Sequence, residues 1–127
     1  MPSLRTFFGT AVVASALIAS PALAHPKLLA TTPAADASVA PPSRITLSFS
    51  ERLMPSLSGV EIMMTGMPGM PDHRMAVTGF QTSTTDDGKT LTAVLARPLA
   101  AGSYRVSWHV VSTDTHRVEG GFAFTVK

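Results

Sequence analysis

The chain has 127 residues, a formal net charge of +2 and no cysteine. This length fits a targeting segment followed by one domain, and the nearly balanced charge gives no electrostatic reason to expect binding to nucleic acid or to an anionic membrane. The lack of cysteine excludes disulfides, thiolate metal sites and cysteine nucleophiles, so any metal must be held by His, Met, a carboxylate or a terminal amine.

The first predicted element is a secretory signal peptide over residues 1–24. Arg5 supplies its positive charge, residues 7–18 form an apolar stretch, and Ala22-Leu23-Ala24 is a small-x-small cleavage signal. The apolar stretch is short and rich in small residues, which favours a cleaved signal over the alternative of an uncleaved anchor. Residues 25–127 would then form one exported domain that begins with His25 and contains no membrane-spanning segment.

Residues 25–127 carry no strong helical pattern. Short runs of alternating apolar and polar residues are separated by Pro, Gly, Ser, Thr and Asp, which is typical of an all-β sandwich or barrel. In the longest run, alternate residues from Tyr104 to Val110 point to one face and are predicted to enter the core. We predict about seven strands, within residues 27–32, 44–49, 60–64, 75–80, 90–95, 103–111 and 121–126.

The predicted exported domain begins with a histidine. Cleavage after Ala24 would give His25 a free α-amine beside its imidazole, and these two nitrogens can chelate a divalent transition metal. Asp114 and His116 are two residues apart, so in an extended segment their side chains point to the same side. Alone, an Asp-x-His pair is typical of a solvated turn. Combined with His25, it offers three nitrogens and one oxygen, the tetragonal donor set that Cu(II) prefers.

A second group of metal ligands is predicted in an irregular loop. Met64, Met67 and Met70 recur every third residue and are followed by His73 and Met75. Proline and glycine between them exclude a regular helix or a paired strand, so the loop is free to gather several sulfurs around one ion. Thioether sulfur is a soft ligand that suits Cu(I), and His73 can complete such a site. For Met64 the alternative is core packing, because it shares a face with apolar residues of the preceding run.

Four stretches of the chain carry a family likeness. They are His25-Pro26-Lys27-Leu28, residues 33–42, residues 45–51, and residues 104–126 with Trp108, Ser112-x-Asp114-x-His116, Gly120 and Phe122-x-Phe124. Their ordered combination resembles the CopC-type periplasmic copper-binding proteins of bacterial copper resistance. The resemblance implies a Greek-key β-barrel or sandwich of cupredoxin-like or immunoglobulin-like topology.

The resemblance also implies the ligands and the partners. It implies that Cu(II) is held by His25, Asp114 and His116. Some members of the family hold Cu(I) in a mid-chain loop, which corresponds here to Met64, Met67, Met70, His73 and Met75. The implied location is the periplasm, and the implied partner is an inner-membrane copper transporter or another periplasmic copper protein.

Three other positions bear on these sites. Glu51 matches a carboxylate that lies close to Cu(II) in the family; its residue type and position fit either an acceptor for the amine or a ligand ring, or an ordinary surface charge. Thr115 stands where the family usually has glycine between Asp114 and His116. His73 lies one residue further from Met70 than in the Met-rich members.

We interpret the chain as an exported carrier or store for copper that holds the two oxidation states of copper on different types of ligand. Nitrogen and oxygen ligands would retain Cu(II) and thioethers would retain Cu(I), so oxidation or reduction would favour transfer between sites or to a partner. One alternative is a copper-dependent oxidative enzyme of the His-brace type, although Asp114 would fill an equatorial position that such an enzyme leaves open. Another alternative is a metal-free interaction domain of immunoglobulin type.

Overall fold

The computed structural model describes residues 25–127, and the predicted signal peptide, residues 1–24, lies outside the described residues. The only helix within residues 25–127 is the single 3-10 turn Pro55–Leu57, so none there is long and apolar enough to cross a membrane. The strands of this part of the chain are β1 (Leu28–Thr32), β2 (Ser38–Val39), β3 (Arg44–Phe49), β4 (Gly59–Gly66), β5 (Met75–Ala76), β6 (Gln81–Thr84), β7 (Thr90–Val94), β8 (Gly102–Val111) and β9 (Arg117–Val126).

The strands form two sheets that face each other across one apolar core. The first sheet has the strand order β1-β3-β7-β6, and the second has the order β2-β9-β8-β4-β5. All pairings are antiparallel except a two-residue parallel contact between β2 and β9. The all-β sandwich that the sequence predicts is therefore confirmed, and the two sheets stay separate instead of closing into a barrel.

Alternation of apolar and polar residues builds the core. Strands β3 and β8 each bury one face in this core. The buried side chains are Ile45, Leu47 and Phe49 from β3 and Tyr104, Val106, Trp108 and Val110 from β8. Trp108 meets Phe49 edge to face, with the ring centroids 5.1 Å apart. Gly120 of β9 lies opposite Trp108, and a Cβ atom there would approach Trp108 Cζ2 to 2.6 Å. The indole of Trp108 therefore requires glycine at this position of the neighbouring strand.

Part of the strand prediction is wrong. Residues 75–80 do not form one strand, since only Met75–Ala76 pairs with β4 and the chain then leaves the sheet. The next strand, β6, was not predicted, and the described residues contain nine strands instead of about seven. β6 is a largely exposed edge strand of sequence QTST, so it has no apolar alternation and is defined by its backbone pairing with β7.

Strand β8 connects the two regions that carry the candidate ligands. Near its start, Ser103 lies opposite Gly66, directly before the loop of residues 67–74 between β4 and β5, which we call the methionine-rich loop. At its other end, Val111 leads into the turn that contains Asp114 and His116. A ten-residue strand spans roughly 30 Å. The two candidate sites therefore lie at opposite ends of the sandwich.

Candidate metal centres

A tight turn between β8 and β9 holds Asp114 and His116 together. Two backbone hydrogen bonds close it: Ser112 N donates to His116 O at 3.0 Å, and Thr115 N donates to Ser112 O at 2.8 Å. Asp114 Oδ2 lies 3.1 Å from His116 Nδ1, and Asp114 Oδ1 accepts a bond from the backbone N of His116 at 3.3 Å. Thr115 adopts a left-handed φ of +73°. The two side chains converge through this turn and not through the extended segment that the spacing predicts.

Hydrogen bonds also set the charge state of Asp114. Donation from Ser112 Oγ, followed by donation from His116, lowers the pKa of Asp114 from 3.8 to about 2. The carboxylate is therefore ionised throughout the physiological pH range. When His116 Nδ1 donates to this carboxylate, His116 Nε2 presents its lone pair to a metal ion. Both side chains are about one-third exposed, at 34% and 30%, so an ion in solvent can reach them.

Ser112 is the residue of this turn whose role the sequence reasoning missed. Its side chain is buried, with 1% of its surface exposed. Its hydroxyl donates to Asp114 Oδ1 and lies 3.4 Å from the backbone oxygen of His116. Ser112 thus holds the carboxylate in place from the protein side. A serine two residues before an aspartate in a turn is the local pattern that would have indicated this contact.

The segment before β1 brings the ring of His25 against the ring of His116. The two ring centroids are 4.5 Å apart, and the ring planes are inclined at 58°. Lys27 N donates to Ser50 Oγ at 2.9 Å, and Ser50 N donates to Lys27 O at 2.9 Å. These two bonds fix the beginning of β1 beside the end of β3. The structure therefore places His25 against His116, which in turn is bonded to Asp114.

These side chains do not form a closed cluster in this arrangement. Within residues 25–127, no three His, Asp or Glu side chains are grouped closely enough to hold a metal ion. The oxygens of Asp114 are directed at Ser112 and His116 instead of at His25. In the full-length chain the nitrogen of His25 is an amide joined to Ala24. Cleavage at that bond would convert it into an amine, which is the fourth donor of the predicted site.

Glu51 lies on the segment between β3 and the Pro55–Leu57 turn. Its neighbour Ser50 contacts Lys27, and its other neighbour Arg52 accepts a hydrogen bond from Thr113 N at 3.0 Å. The backbone of Glu51 therefore runs between the start of β1 and the Asp114 turn. In the described part of the chain, however, its half-buried side chain makes no hydrogen bond or ion pair. The predicted supporting contact to a ligand is not formed here.

The methionine-rich loop is built around a turn closed by two methionines. Met67 N donates to Met70 O at 3.0 Å, and Met70 N donates to Met67 O at 2.9 Å. Pro68 and Gly69 occupy the centre of the turn, and Gly69 has a φ of +79°, as a type II turn requires. Residues directly opposite in an antiparallel pair project their side chains to the same side. The turn thus places Met67 and Met70 opposite each other, with Met67 packed partly against the core and Met70 exposed.

The other predicted Cu(I) ligands differ in exposure, and two of them lie on strands and not in the loop. Met64 is a core residue with 3% of its surface exposed, whereas Met70 is 52% exposed and Met75 is 53% exposed. Met64 and Met75 lie directly opposite each other on β4 and β5, and both line a cavity of about 520 Å³. His73 is half-buried, and its backbone N donates to Met70 O at 3.1 Å. His73 and Met70 also line a shallow depression of about 410 Å³.

Comparison with known proteins identifies relatives over nearly the whole chain. The model of the CopC domain family matches residues 28–127. A copper resistance protein C of Xanthomonas campestris pv. juglandis is 45% identical over 128 residues, which cover 100% of both chains. Copper resistance protein C of Pseudomonas syringae pv. tomato is 45% identical over 123 residues, or 97% of each chain.

Solved structures agree with the sequence comparison. The crystal structure of PcoC, a methionine-rich copper resistance protein from Escherichia coli, superposes with a TM-score of 0.73 at 42% identity. The match covers 82% of this chain and 100% of that chain. CopC from Methylosinus trichosporium OB3b matches with a TM-score of 0.66 at 33% identity, over 81% of this chain and 94% of that one. With the family match and the full-length relatives, this places the chain in the CopC family.

Proposed function

We propose that this protein is an exported copper-binding protein of the periplasm that stores or carries copper in copper resistance. Membership of the CopC family supports this proposal, and so do the full-length relatives named copper resistance protein C. Each end of the sandwich presents donors suited to one oxidation state of copper. Copper is therefore the cargo of the protein and not a cofactor for a reaction.

The Cu(II) site of this proposal consists of His25, Asp114 and His116. The observation that carries it is the approach of the His25 and His116 rings to 4.5 Å, beside a carboxylate held at His116 Nδ1. Residues 91 positions apart in the sequence are thereby adjacent at an exposed surface. With the α-amine of a cleaved chain, the donors are three nitrogens and one oxygen, which suits tetragonal Cu(II).

The Cu(I) site of this proposal lies in the methionine-rich loop. Met67 and Met70 lie opposite each other in their turn, and the exposed Met75 lies on the strand that follows the loop. Their thioethers are soft ligands that favour Cu(I) over Cu(II). Met64 and His73 complete the proposed set. Met64 is the member whose burial requires the largest local movement before its sulfur can meet an ion in solvent.

We favour a carrier over a copper enzyme of the His-brace type. Two histidines do approach each other as a brace requires, but Asp114 is bonded to one of them and stands ready to occupy an equatorial position. The only tryptophan and the only tyrosine of the chain, Trp108 and Tyr104, are 8% and 1% exposed. Neither ring is therefore available to stack against a sugar substrate.

The partner that we propose is an inner-membrane copper transporter or a second periplasmic copper protein. A carrier must release its cargo, and both proposed sites are open to solvent at one side. Exchange of ligands with a docked partner can therefore begin at the solvent-accessible donors, which are His116 and Asp114 at one end of the sandwich and Met70 and Met75 at the other. The oxidation state of the bound ion would decide which end of the sandwich the partner addresses.

The test of the Cu(II) site compares two histidine variants of the mature protein that begins at residue 25. His25→Ala is expected to weaken Cu(II) binding by more than about tenfold and to change the EPR spectrum, because it removes a ring ligand. His109→Ala is the matched control. His109 is a half-buried histidine whose ring lies over Gly59 in the second sheet, away from the turn.

A second arm of the test addresses the amine. A protein acetylated at the His25 amine keeps every side chain but removes the amine as a donor. It is expected to bind Cu(II) more weakly, with fewer nitrogen couplings in the EPR spectrum. If His25→Ala and the acetylated protein both keep the native affinity and spectrum, the proposed Cu(II) site is wrong.

A further inference from the structure

The methionines of the described residues differ sharply in their access to solvent. Met70 is 52% exposed, Met75 is 53% exposed and Met63 is 37% exposed, whereas Met64 is 3% exposed. Met67 packs partly against the core. The most exposed thioethers of the described residues thus lie on β4 at Met63, in the loop that follows β4, and on the short strand β5. This distribution separates sulfurs that solution oxidants can reach from one that they cannot.

We propose that Met70 and Met75 are sites of reversible oxidation to methionine sulfoxide, and that this modification closes the soft-metal site without unfolding the domain. The proposal rests on the proposed Cu(I) site for its effect on metal binding. The selectivity of the oxidation itself follows from exposure alone. It adds a redox control to a loop whose proposed role so far is only to bind metal.

The reaction is an oxygen transfer from a hydroperoxide. The sulfur lone pair attacks the terminal peroxide oxygen, the O–O bond breaks and an S–O bond forms. Sulfur is oxidised by two electrons, and hydrogen peroxide is reduced to water or an organic hydroperoxide to an alcohol. The product is restored by a methionine sulfoxide reductase, which makes the modification reversible.

The fold is expected to survive this modification because Met70 and Met75 are each about half exposed and neither belongs to the buried core. The turn that carries Met70 is closed by its backbone bonds with Met67 and by the φ of Gly69, not by side-chain packing. A polar sulfoxide at Met70 or Met75 would face water and would require no burial of its oxygen. Met64 is the contrasting case, since a sulfoxide there would place a polar group in the apolar core.

Metal binding and oxidation compete for the same electrons. A thioether coordinates Cu(I) through the sulfur lone pair that attacks the peroxide. A bound soft ion therefore protects the sulfur, and an oxidised sulfur offers a hard oxygen donor that Cu(I) disfavours. By linkage, oxidation lowers the affinity for the soft ion, and the soft ion slows oxidation.

The first experiment measures site selectivity on the metal-free mature protein. The protein is treated with hydrogen peroxide, and the sulfoxide at each methionine is followed by peptide mass spectrometry. Met70 and Met75 are expected to oxidise at least about ten times faster than Met64, because Met64 must wait for an opening of the core. Circular dichroism is expected to stay unchanged while they oxidise. Equal rates at Met64 and Met70 in folded protein would overturn the proposal.

The second experiment uses Ag(I), a soft ion that does not itself react with peroxide as Cu(I) does. Ag(I) is expected to slow oxidation of Met70 and Met75 but not of Met63, which is exposed on β4 outside the proposed ligand set. Peroxide treatment is expected to lower the Ag(I) affinity by about tenfold or more. The variant Met63→Leu is the matched control and should keep both responses.

The outcomes separate this proposal from the proposed Cu(I) site. If the untreated protein does not bind Ag(I) or Cu(I), the proposed Cu(I) site is wrong, and so is the proposed control of that site by oxidation. If the untreated protein binds the soft ion and the protein with sulfoxides at Met70 and Met75 binds it equally well, only the proposed control by oxidation is wrong. Loss of binding on oxidation, with recovery after treatment with a sulfoxide reductase, supports the proposal.

Discussion

Replacement of Thr115 by glycine is expected to stabilise the protein. Thr115 lies between Asp114 and His116 with a φ of +73°, in the left-handed region that β-branched residues rarely adopt. The Thr115 N–H donates to Ser112 O, so the turn depends on this conformation. Glycine adopts this φ without steric cost. Thr115→Gly should therefore keep the turn and remove the strain.

The size of the effect follows from two opposing contributions. A left-handed conformation costs an L-residue about 1–2 kcal/mol, and glycine removes that cost. Glycine also gains entropy in the unfolded chain, which offsets about 0.4–1 kcal/mol of the gain. The net stabilisation is about 0.5–1 kcal/mol, and for a domain of this size it should raise the Tm by roughly 2–6 °C.

Thermal and urea unfolding of the metal-free mature protein, followed by circular dichroism, measure this change. Thr113→Gly is the matched control, because Thr113 is an exposed threonine of the same turn whose φ is not positive. It should lower stability by about 0.5–1 kcal/mol through chain entropy alone. Thr115→Ala keeps a Cβ atom and should fall between the wild type and the glycine variant. If Thr115→Gly lowers the Tm as much as Thr113→Gly does, the strain does not exist.

Three other perturbations test the fold and the turn. Gly120→Ala forces a Cβ atom to 2.6 Å from Trp108 and should lower the free energy of unfolding in urea by about 1–3 kcal/mol. Trp108→Phe in the same protein should restore part of this loss, and the absence of such a rescue would argue against the contact. The lowered pKa of Asp114 stabilises the folded protein above pH 3.8, and this contribution is lost as the carboxylate becomes protonated. The difference in unfolding free energy between wild type and Asp114→Asn should therefore shrink as the pH falls from 3.8 to about 2. A difference that stays constant over this range would contradict the lowered pKa. Leu47→Ala should cost about 2–5 kcal/mol in the same assay, whereas Leu29→Ala, at a position 67% exposed, should stay within about 0.5 kcal/mol; similar losses would refute the assigned burial.

Strands with one buried face could be predicted from the sequence, whereas strands defined by pairing alone could not. Alternation predicted β3 with its observed bounds and predicted which face of β8 enters the core, because burial of one face imposes a period of two. β6 has no apolar face, and its place at the edge depends on hydrogen bonds to β7. Two-residue strands such as β2 and β5 carry too few side chains for any period to show.

The candidate ligands divide in the same way. The residue types and the Asp-x-His spacing indicated which side chains to consider, because donor chemistry is local. The approach of His25 to His116 is a tertiary contact across 91 positions that no local pattern encodes. The burial of Met64 followed from its shared face with Ile62, while the Met67 and Met70 turn could be seen only in the backbone bonds. The sequence thus indicated chemistry, and the fold decided which groups meet.

The separation of the two proposed sites limits how copper can move between them. They lie at opposite ends of β8, roughly 30 Å apart, with the packed apolar core along that strand. Ligand exchange requires old and new donors to touch the same ion, which demands distances near 2–2.5 Å. No movement of a loop or a side chain spans such a gap. Copper that changes oxidation state at one proposed site should therefore leave that site, to solvent or to a second protein molecule, before it reaches the other. A rate of redistribution that rises with protein concentration would identify the second route.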